Sequence, residues 1–409
     1  MRFLHYLRAC YRNVYRKTRR RKLGNSDTCQ LSDSARTAKF PPRRHSFSPP
    51  PCDRRRPTRL HRLVYDDEPL RLQVRNDYRS NGKHKDNHPH RLLRIPCNGK
   101  GSRRPTNLWL IEMNAILEQD VEQFALRFAL KDELRGKTVA VTGATGLLGA
   151  CMVRCLLALN RQQGLGLRVL AVVRNTAKAK AMFGKQDAAL GFYAYDFSAN
   201  EVFNPTEKID FIVHFASPTA SKYFVEYPIE TMVTVFNGTK NLLNYARTNR
   251  TQSVLLASSL EVYGTITDDS TPLTEEAQGY LDPMAVRSSY PMAKRAAETL
   301  CHDYAKEYGT HAKVARLAQT FGAGVEQDDT RVFAQFARSI IKDEDIVMHT
   351  KGELCRSYCY TTDAIAAMLY ILLRGKDGEA YNVANETTYI SIKDMASFLA
   401  ETFNPRVKV

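Results

Sequence analysis

Acidic residues are absent from the first 21 positions and scarce through the first quarter of the chain. Residues 1–112 hold 28 Lys and Arg against 9 Asp and Glu, whereas residues 113–409 hold 32 against 34. The formal net charge of +17 over 409 residues therefore sits wholly in the first quarter, which excludes a uniformly basic globular protein. Paired cysteine spacing is also lacking. The nine cysteines, at positions 10, 29, 52, 97, 151, 155, 301, 355 and 359, form neither a zinc pattern nor a small disulfide framework. Cys151 and Cys155 can share a helical face, but no His or further Cys stands near them, so no metal is expected. Reduced thiols in a cytoplasmic protein are the plain reading. Long apolar runs are missing too. The longest, Ala364 to Leu373, is about half of what a bilayer span requires, so it reads as a buried helix and no membrane partner is expected.

From Arg12 to Arg104 the chain strings together Arg-rich, Pro-rich and His-rich stretches with no sustained apolar period. Such a segment cannot bury enough surface to fold alone, so residues 1–112 are expected to be a disordered basic N-terminal extension. Three origins fit it: translation of DNA upstream of a start at Met113, a linker or targeting arm, or an arm that binds nucleic acid. Arg, Pro, His, Ser and Cys enriched together favour the first, and nucleic acid is not the expected partner.

Residues 113–135 carry a helical period in Ile116, Leu117, Val121, Phe124, Phe128 and Leu130. A β-rich run, Lys137 to Thr142, precedes T-G-A-T-G-L-L-G and a helical stretch from Ala150 to Asn160. Gly143, Gly146 and Gly149 give a turn whose missing side chains let the backbone approach a pyrophosphate at a helix amino terminus. Strand patterns at 168–173, 192–195, 211–215 and 253–257 alternate with helical ones, which predicts an α/β fold with a doubly wound parallel sheet. After the second strand, where an acid would hold the ribose of NAD, stands Arg174, a cation suited to the extra phosphate of NADP or merely a solvated loop residue. Asp196, ending the next strand, suits an adenine amino group or a turn equally.

The second signal is Tyr290-Pro-Met-Ala-Lys294. Four residues apart on a helix, the phenol and the ammonium share one face, where the charge is expected to lower the phenol pKa and make Tyr290 a base. Ser258-Ser259-Leu260-Glu261-Val262-Tyr263-Gly264 stands upstream at a strand end, where ligands gather in such folds. Together the glycine turn, this strand end and Y-P-M-A-K resemble the extended short-chain dehydrogenase/reductase family, in its nucleotide-sugar epimerase, dehydratase and decarboxylase branch. H-F-A-S at 214–217, F-N-G-T-K-N-L-L at 236–243, A-R-L-A-Q-T-F-G-A-G at 315–324 and R-S-Y-C-Y-T-T-D at 356–363 extend the resemblance from about residue 135 to the end.

The resemblance implies a Rossmann-type domain over 113–324 and a smaller C-terminal substrate-binding lobe over 325–409. It implies NAD or NADP against Gly143, Thr145, Gly146, Leu147, Leu148, Gly149, Arg174, Asp196, Ala216 and Lys294. Ser259 takes the place of the active-site Ser/Thr, Tyr290 that of the base and Lys294 that of its electrostatic partner. Ser217, Gln319, Arg331 and Arg356 fall where relatives hold the nucleotide-diphosphate sugar, with Arg356 at the diphosphate position. Glu261 favours chemistry beyond simple C4 inversion. Leu260 stands where dehydratases carry a proton donor, which tilts the reading from a dTDP-glucose 4,6-dehydratase-like enzyme toward a UDP-glucuronate decarboxylase-like one. A UDP-sugar 4-epimerase, an NADPH-consuming ketoreductase and a non-catalytic binding protein with a nucleic-acid-binding arm are the alternatives. A homodimer through the helices near Phe236 and Tyr290 is also implied, and the ending at Val409 is early for the family.

Overall fold

A computed structural model describes residues 108–409 apart from 185–186, 200 and 267–272, so the expected basic extension falls almost entirely outside the described residues. Seven parallel strands form the main sheet in the order β3-β2-β1-β4-β5-β6-β10. They are β1 (Thr138–Thr142), β2 (Arg168–Val173), β3 (Leu190–Ala194), β4 (Phe211–His214), β5 (Ser253–Ser259), β6 (Ala312–Leu317) and β10 (Ala380–Val383). Their near-continuous Val, Ile, Leu and Ala content follows from burial on both faces, as in β1, where every residue from Val139 to Thr142 is buried. The register places Val141 between Ala171 of β2 and Val213 of β4. Strand order reverses between β1 and β4, which opens a crevice at their carboxyl ends.

Helices cover both faces. One face is packed by α1 (Leu108–Arg127), α2 (Leu147–Gln163) and α8 (Thr361–Arg374), and Met152, Leu156, Leu159, Ile365 and Met368 are fully buried there. Each such side chain contributes about 1.5–3 kcal/mol by leaving water. The other face is packed by α5 (Pro228–Asn249) and α6 (Ser289–Tyr308) through Leu242, Leu243, Ala293, Ala297 and Cys301. A short helix, α3 (Thr176–Phe183), links β2 to β3, and a six-residue helix, α4 (Ser221–Glu226), precedes α5. Cys151, Cys155, Cys301 and Cys359 are buried free thiols, whereas Cys355 is disulfide-bonded, against the expectation of reduced thiols throughout.

Two boundaries differ from the sequence pattern. The first helix ends at Arg127 rather than near 135, and a 3-10 turn, Lys131–Leu134, follows, because Leu134 has to enter the core just before β1. Helix α2 starts at Leu147, three residues before its apolar period begins, because glycines can open a helix without contributing to that period. The last quarter is also shared between two bodies. Helix α8 packs on the main core and β10 pairs with β6, so these return to the sheet. What forms the lobe is α7 (Val332–Lys342), α9 (Ile392–Phe403) and two small pairs, β7 (Gln319–Phe321) with β9 (Tyr358–Tyr360) and β8 (Cys355–Arg356) with β11 (Ile390–Ser391). Phe321, Phe333, Phe336, Met395, Leu399 and Phe403 make its own core.

Candidate active site

The glycine turn closes the crevice at its β1 side. Gly143 lies at φ +62°, and a Cβ there would stand 2.9 Å from the Ala216 nitrogen just past β4. Gly149 is tighter, since a Cβ would stand 2.2 Å from the Gly143 oxygen, so only glycine lets α2 sit this close to the turn. Helix α2 begins after Gly146 with no side-chain cap, and Thr145, Leu147 and Leu148 are half-buried around its first turn. Its amino terminus is thus free to meet an anion. Beneath the turn, the Ala216 N–H donates to Thr142 Oγ1 at 3.0 Å, and Thr142 Oγ1 lies 2.7 Å from His214 Nδ1. Burial, and then the Lys294 charge, lowers the His214 pKa to about 3, so the ring is neutral beside Thr142.

At the ends of β2 and β3, Arg174 is exposed and Asp196 accepts from the Ser198 N–H and hydroxyl at 2.9 and 2.7 Å. Burial opposes ionisation of Asp196, but those bonds and the Arg174 charge hold its carboxyl below the ordinary range. The two side chains therefore sense one another electrostatically at the ends of adjacent strands.

The catalytic candidates converge from three segments. Strand β5 delivers Ser259, and the following 3-10 turn, Leu260–Tyr263, delivers Glu261, whose N–H donates to Ser259 Oγ at 3.2 Å. Helix α6 delivers Tyr290 and Lys294 on one face, as the four-residue spacing predicts, and both are buried. The Lys294 ammonium lies 5.8 Å from the Tyr290 ring centroid and donates to the Ala257 carbonyl at 2.7 Å. Burial, partly offset by Glu298, lowers the Lys294 pKa to about 8. The Tyr290 phenol departs from expectation. Burial and then the Glu261 carboxylate push it well above its ordinary range, and the opposing influences are a hydrogen bond with Ser259 and the Arg287 charge.

Arg287 was not singled out by motif reading. It sits on the 3-10 turn Val286–Ser288 just before α6, and one of its terminal nitrogens lies 3.0 and 2.9 Å from the two Glu261 carboxylate oxygens. Phe224 of α4 was missed as well. It is fully buried and stacks on Tyr290 with ring centroids 4.3 Å apart and planes 6° apart. The V-R-S-S-Y run adjoining Tyr290 was the available signal for Arg287; nothing local marks Phe224, which is brought in by tertiary packing alone. Glu298, one helical turn past Lys294, accepts from the Ser258 hydroxyl and from Arg316, fixing the strand end from below.

The substrate-side candidates are spread further. Ser217 is half-buried and donates to the Pro218 carbonyl at 3.0 Å. Gln319 opens β7 and is half-buried. Arg331 is engaged on both Asp329 oxygens, donates to the Thr320 carbonyl at 2.9 Å and lies over Phe333, which leaves it poorly disposed toward a diphosphate. Arg356 is half-buried, donates to the Cys355 carbonyl at 2.8 Å and has its pKa lowered by burial, against the pull of Tyr358, Tyr389 and Glu261. Among the described residues no group of three or more His, Cys, Asp or Glu is disposed to hold a metal ion, and no helix is long and apolar enough to cross a membrane.

Comparison with known proteins bears on the family and the fold. The profile of the NAD dependent epimerase/dehydratase family matches residues 139–384, from β1 through β10. The chain belongs to this family. UDP-glucuronic acid decarboxylase 3 of Arabidopsis thaliana is 31% identical over 202 residues, 49% of this chain and 58% of that protein. UDP-glucuronic acid decarboxylase 1 of Xenopus tropicalis is 33% identical over 165 residues, covering 40% and 38%. The chain therefore spans little more than half the length of the first of these relatives. Among solved structures, the epimerase Mth375 of Methanothermobacter thermautotrophicus superposes with a TM-score of 0.58 at 20% identity, covering 69% of this chain and 83% of that one. The dTDP-glucose 4,6-dehydratase of Streptomyces venezuelae, solved with NAD and TYD bound, gives 0.55 at 23%, covering 64% and 80%. At these identities the superpositions establish the fold.

Proposed function

We propose that the chain modifies a nucleotide-diphosphate sugar through a 4-keto intermediate and that its preferred reaction is decarboxylation of UDP-glucuronate. The observation that carries the reading is the meeting of Ser259, Glu261, Tyr290 and Lys294 at the carboxyl edge of β5, on the sheet that also carries the glycine turn after β1. A dinucleotide fits this turn, because the space that Cβ atoms at Gly143 and Gly149 would fill is left to backbone and the α2 amino terminus has no side-chain cap. Gly143, Thr145, Gly146, Leu147, Leu148, Gly149 and Ala216 would hold it, with Arg174 and Asp196 at the ribose and adenine end. When bound, the dinucleotide would supply reversible hydride exchange with C4 of the sugar. Arg174 favours NADP over NAD.

As a phenolate, the form that burial and the Glu261 carboxylate disfavour, Tyr290 would accept the proton of the sugar 4-hydroxyl, and Ser259 would orient that hydroxyl by hydrogen bonding to it. Lys294, buried and held by Ala257, carries its charge behind the phenol. Glu261 has Arg356 within electrostatic reach, and Arg356 is the candidate for the diphosphate or the uronate end. Leu260 is half-buried and carries no proton, so it gives no help to a departing hydroxyl, whereas a β-keto acid loses carbon dioxide without such a donor. This favours decarboxylation over the dehydratase and 4-epimerase readings. The UDP-glucuronic acid decarboxylases among the relatives support the same choice. We also propose a homodimer and a cytoplasmic site. Met232 and Phe236 are exposed apolar residues four apart on α5, which supports pairing of that helix.

The test is mass spectrometry of products after incubating the full chain, with NAD or NADP, against UDP-glucuronate, UDP-glucose, UDP-galactose and dTDP-glucose. Loss of carbon dioxide from UDP-glucuronate, abolished in Tyr290→Phe, is the expected result. Loss of water from a neutral sugar would replace the reading by dehydration, and an isobaric product resolved by chromatography would replace it by epimerisation. Salt-dependent RNA binding with no turnover of any sugar would favour the binding-protein alternative.

A further inference from the structure

We propose that Arg287 is a positioning residue that braces the Glu261 carboxylate beside Tyr290 and offsets its charge, a reading that rests on Tyr290 being the proton-transfer group. The geometry is specific. An Arg287 terminal nitrogen contacts both Glu261 oxygens, at 3.0 and 2.9 Å, and the guanidinium carbon lies 4.9 Å from the ring centroid of Phe224. Phe224 in turn stacks on Tyr290 at 4.3 Å, so one side chain ties the carboxylate to the surroundings of the phenol. The Glu261 backbone is fixed independently by its N–H on Ser259 Oγ. An ion pair serving stability alone would be of little worth here, because both partners are about a third or more exposed, at 41% and 32%. Its position gives it a different value. Tyr290 is almost wholly buried, and a neighbouring negative charge acts on it with little screening.

The groups around the phenol come from every element packed on it. Helix α6 supplies Lys294, committed to Ala257; β5 and its turn supply Ser259 and Glu261; Arg287 precedes α6; α4 supplies uncharged Phe224; and Arg356 of β8 faces Glu261. Glu261 makes the phenol hold its proton more tightly, and Arg287 opposes it. Removing the arginine therefore leaves an uncompensated carboxylate and a weaker base, and also frees the carboxylate to rotate. Removing the carboxylate does the reverse.

The experiment reads the Tyr290 proton in two ways, with the full chain. The first needs no turnover. Phenolate absorption is titrated in the near ultraviolet for the unaltered chain, Arg287→Gln, Glu261→Gln and the double variant, each minus its Tyr290→Phe counterpart. Arg287→Gln is expected to raise the Tyr290 midpoint by about one pH unit where Glu261 is present and by less in Glu261→Gln. An unchanged midpoint overturns the proposal. The second is the pH profile of kcat/KM on UDP-glucuronate. The rising limb is expected to move to higher pH in Arg287→Gln, to lower pH in Glu261→Gln, and to stay near the wild-type position in Arg287→Lys, which keeps the charge. A limb that Arg287→Gln leaves in place, in a variant with the wild-type circular dichroism spectrum, also overturns it. If the unaltered chain converts no nucleotide sugar, the proposed function fails, while the phenolate titration still decides the role of Arg287.

Discussion

The two walls of the crevice are built by different means. On the β1 side the wall is backbone: a glycine turn between a strand and a helix, with Gly143 against Ala216 and Gly149 against Gly143. On the β5 side the wall is side chain: Glu261, Arg287, Phe224 and Tyr290 come from four separate turns and helices and meet only in the folded protein. A backbone wall tolerates almost no added atom, and its preference for an anion at the α2 amino terminus is not set by any side chain. A side-chain wall is tunable by charge and by burial, and its chemistry follows from that tuning.

The largest way to break this contrast is a substitution at Gly149. A valine Cβ would stand 2.2 Å from the Gly143 oxygen and 2.8 Å from its carbonyl carbon, so α2 has to withdraw from the turn. Overpacking of this kind costs about 1–3 kcal/mol or more. Gly149→Val is expected to lower the denaturant midpoint and to weaken NAD binding, measured by calorimetry, by more than tenfold. Gly136→Ala is the control. Gly136 is also left-handed, at φ +65°, but a Cβ there meets nothing within 4 Å, so it should cost about 1 kcal/mol and leave NAD binding alone. Equal effects of the two would mean that the close approach at Gly149 has no special role.

On the opposite wall the corresponding lever is charge. Lys294 titrates at about 8 in the folded chain against 10.5 in a model compound, because burial disfavours the ammonium. Below about pH 8 both states carry the proton and the folded chain bears the full penalty of burying it. Between about 8 and 10.5 the unfolded chain holds the proton and the folded chain does not, so stability rises with pH. The gain is at most about 3 kcal/mol. The difference in unfolding free energy between wild type and Lys294→Met, from urea titrations at several pH values, is expected to grow over that window. A flat difference would mean that the ammonium is solvated or paired more fully than its single bond to Ala257 suggests.

Most of the backbone wall was legible in the amino-acid sequence, and less of the side-chain wall. Gly143, Gly146 and Gly149 carry their meaning locally, since spacing between a strand pattern and a helix pattern is enough to imply the turn. The pairing of Tyr290 with Lys294 was legible for the same reason, because four residues on a helix fix a common face. Glu261 could be placed at a strand end, but its partner could not be named, because an Arg on a turn has no periodicity to set its direction. Phe224 was beyond reach, being 66 positions from Tyr290 and apolar like many of its neighbours. The return of β10 to the main sheet was hidden likewise, since Ala380–Val383 is only four residues long and pairs with a strand far earlier in the chain.

The smallest expected effect concerns the junction of the two walls with the cofactor. Arg174 is exposed beyond β2, and the charge it presents is felt by Asp196 beyond β3. A guanidinium there can meet a 2′-phosphate, while a neutral residue or a carboxylate suits a 2′-hydroxyl. Exposure limits what this is worth, because water screens one side of the contact. Arg174→Ala is therefore expected to weaken NADP by roughly tenfold and to leave NAD within about twofold, a difference of about 1.4 kcal/mol in selectivity. Paired calorimetric titrations of the two dinucleotides at low and high salt decide it. A selectivity change that fades with salt marks a charge contact with the phosphate. Equal weakening of both dinucleotides would instead show that Arg174 acts through Asp196, by holding the loop after β3 against the adenosine, and would place cofactor choice elsewhere on the backbone wall.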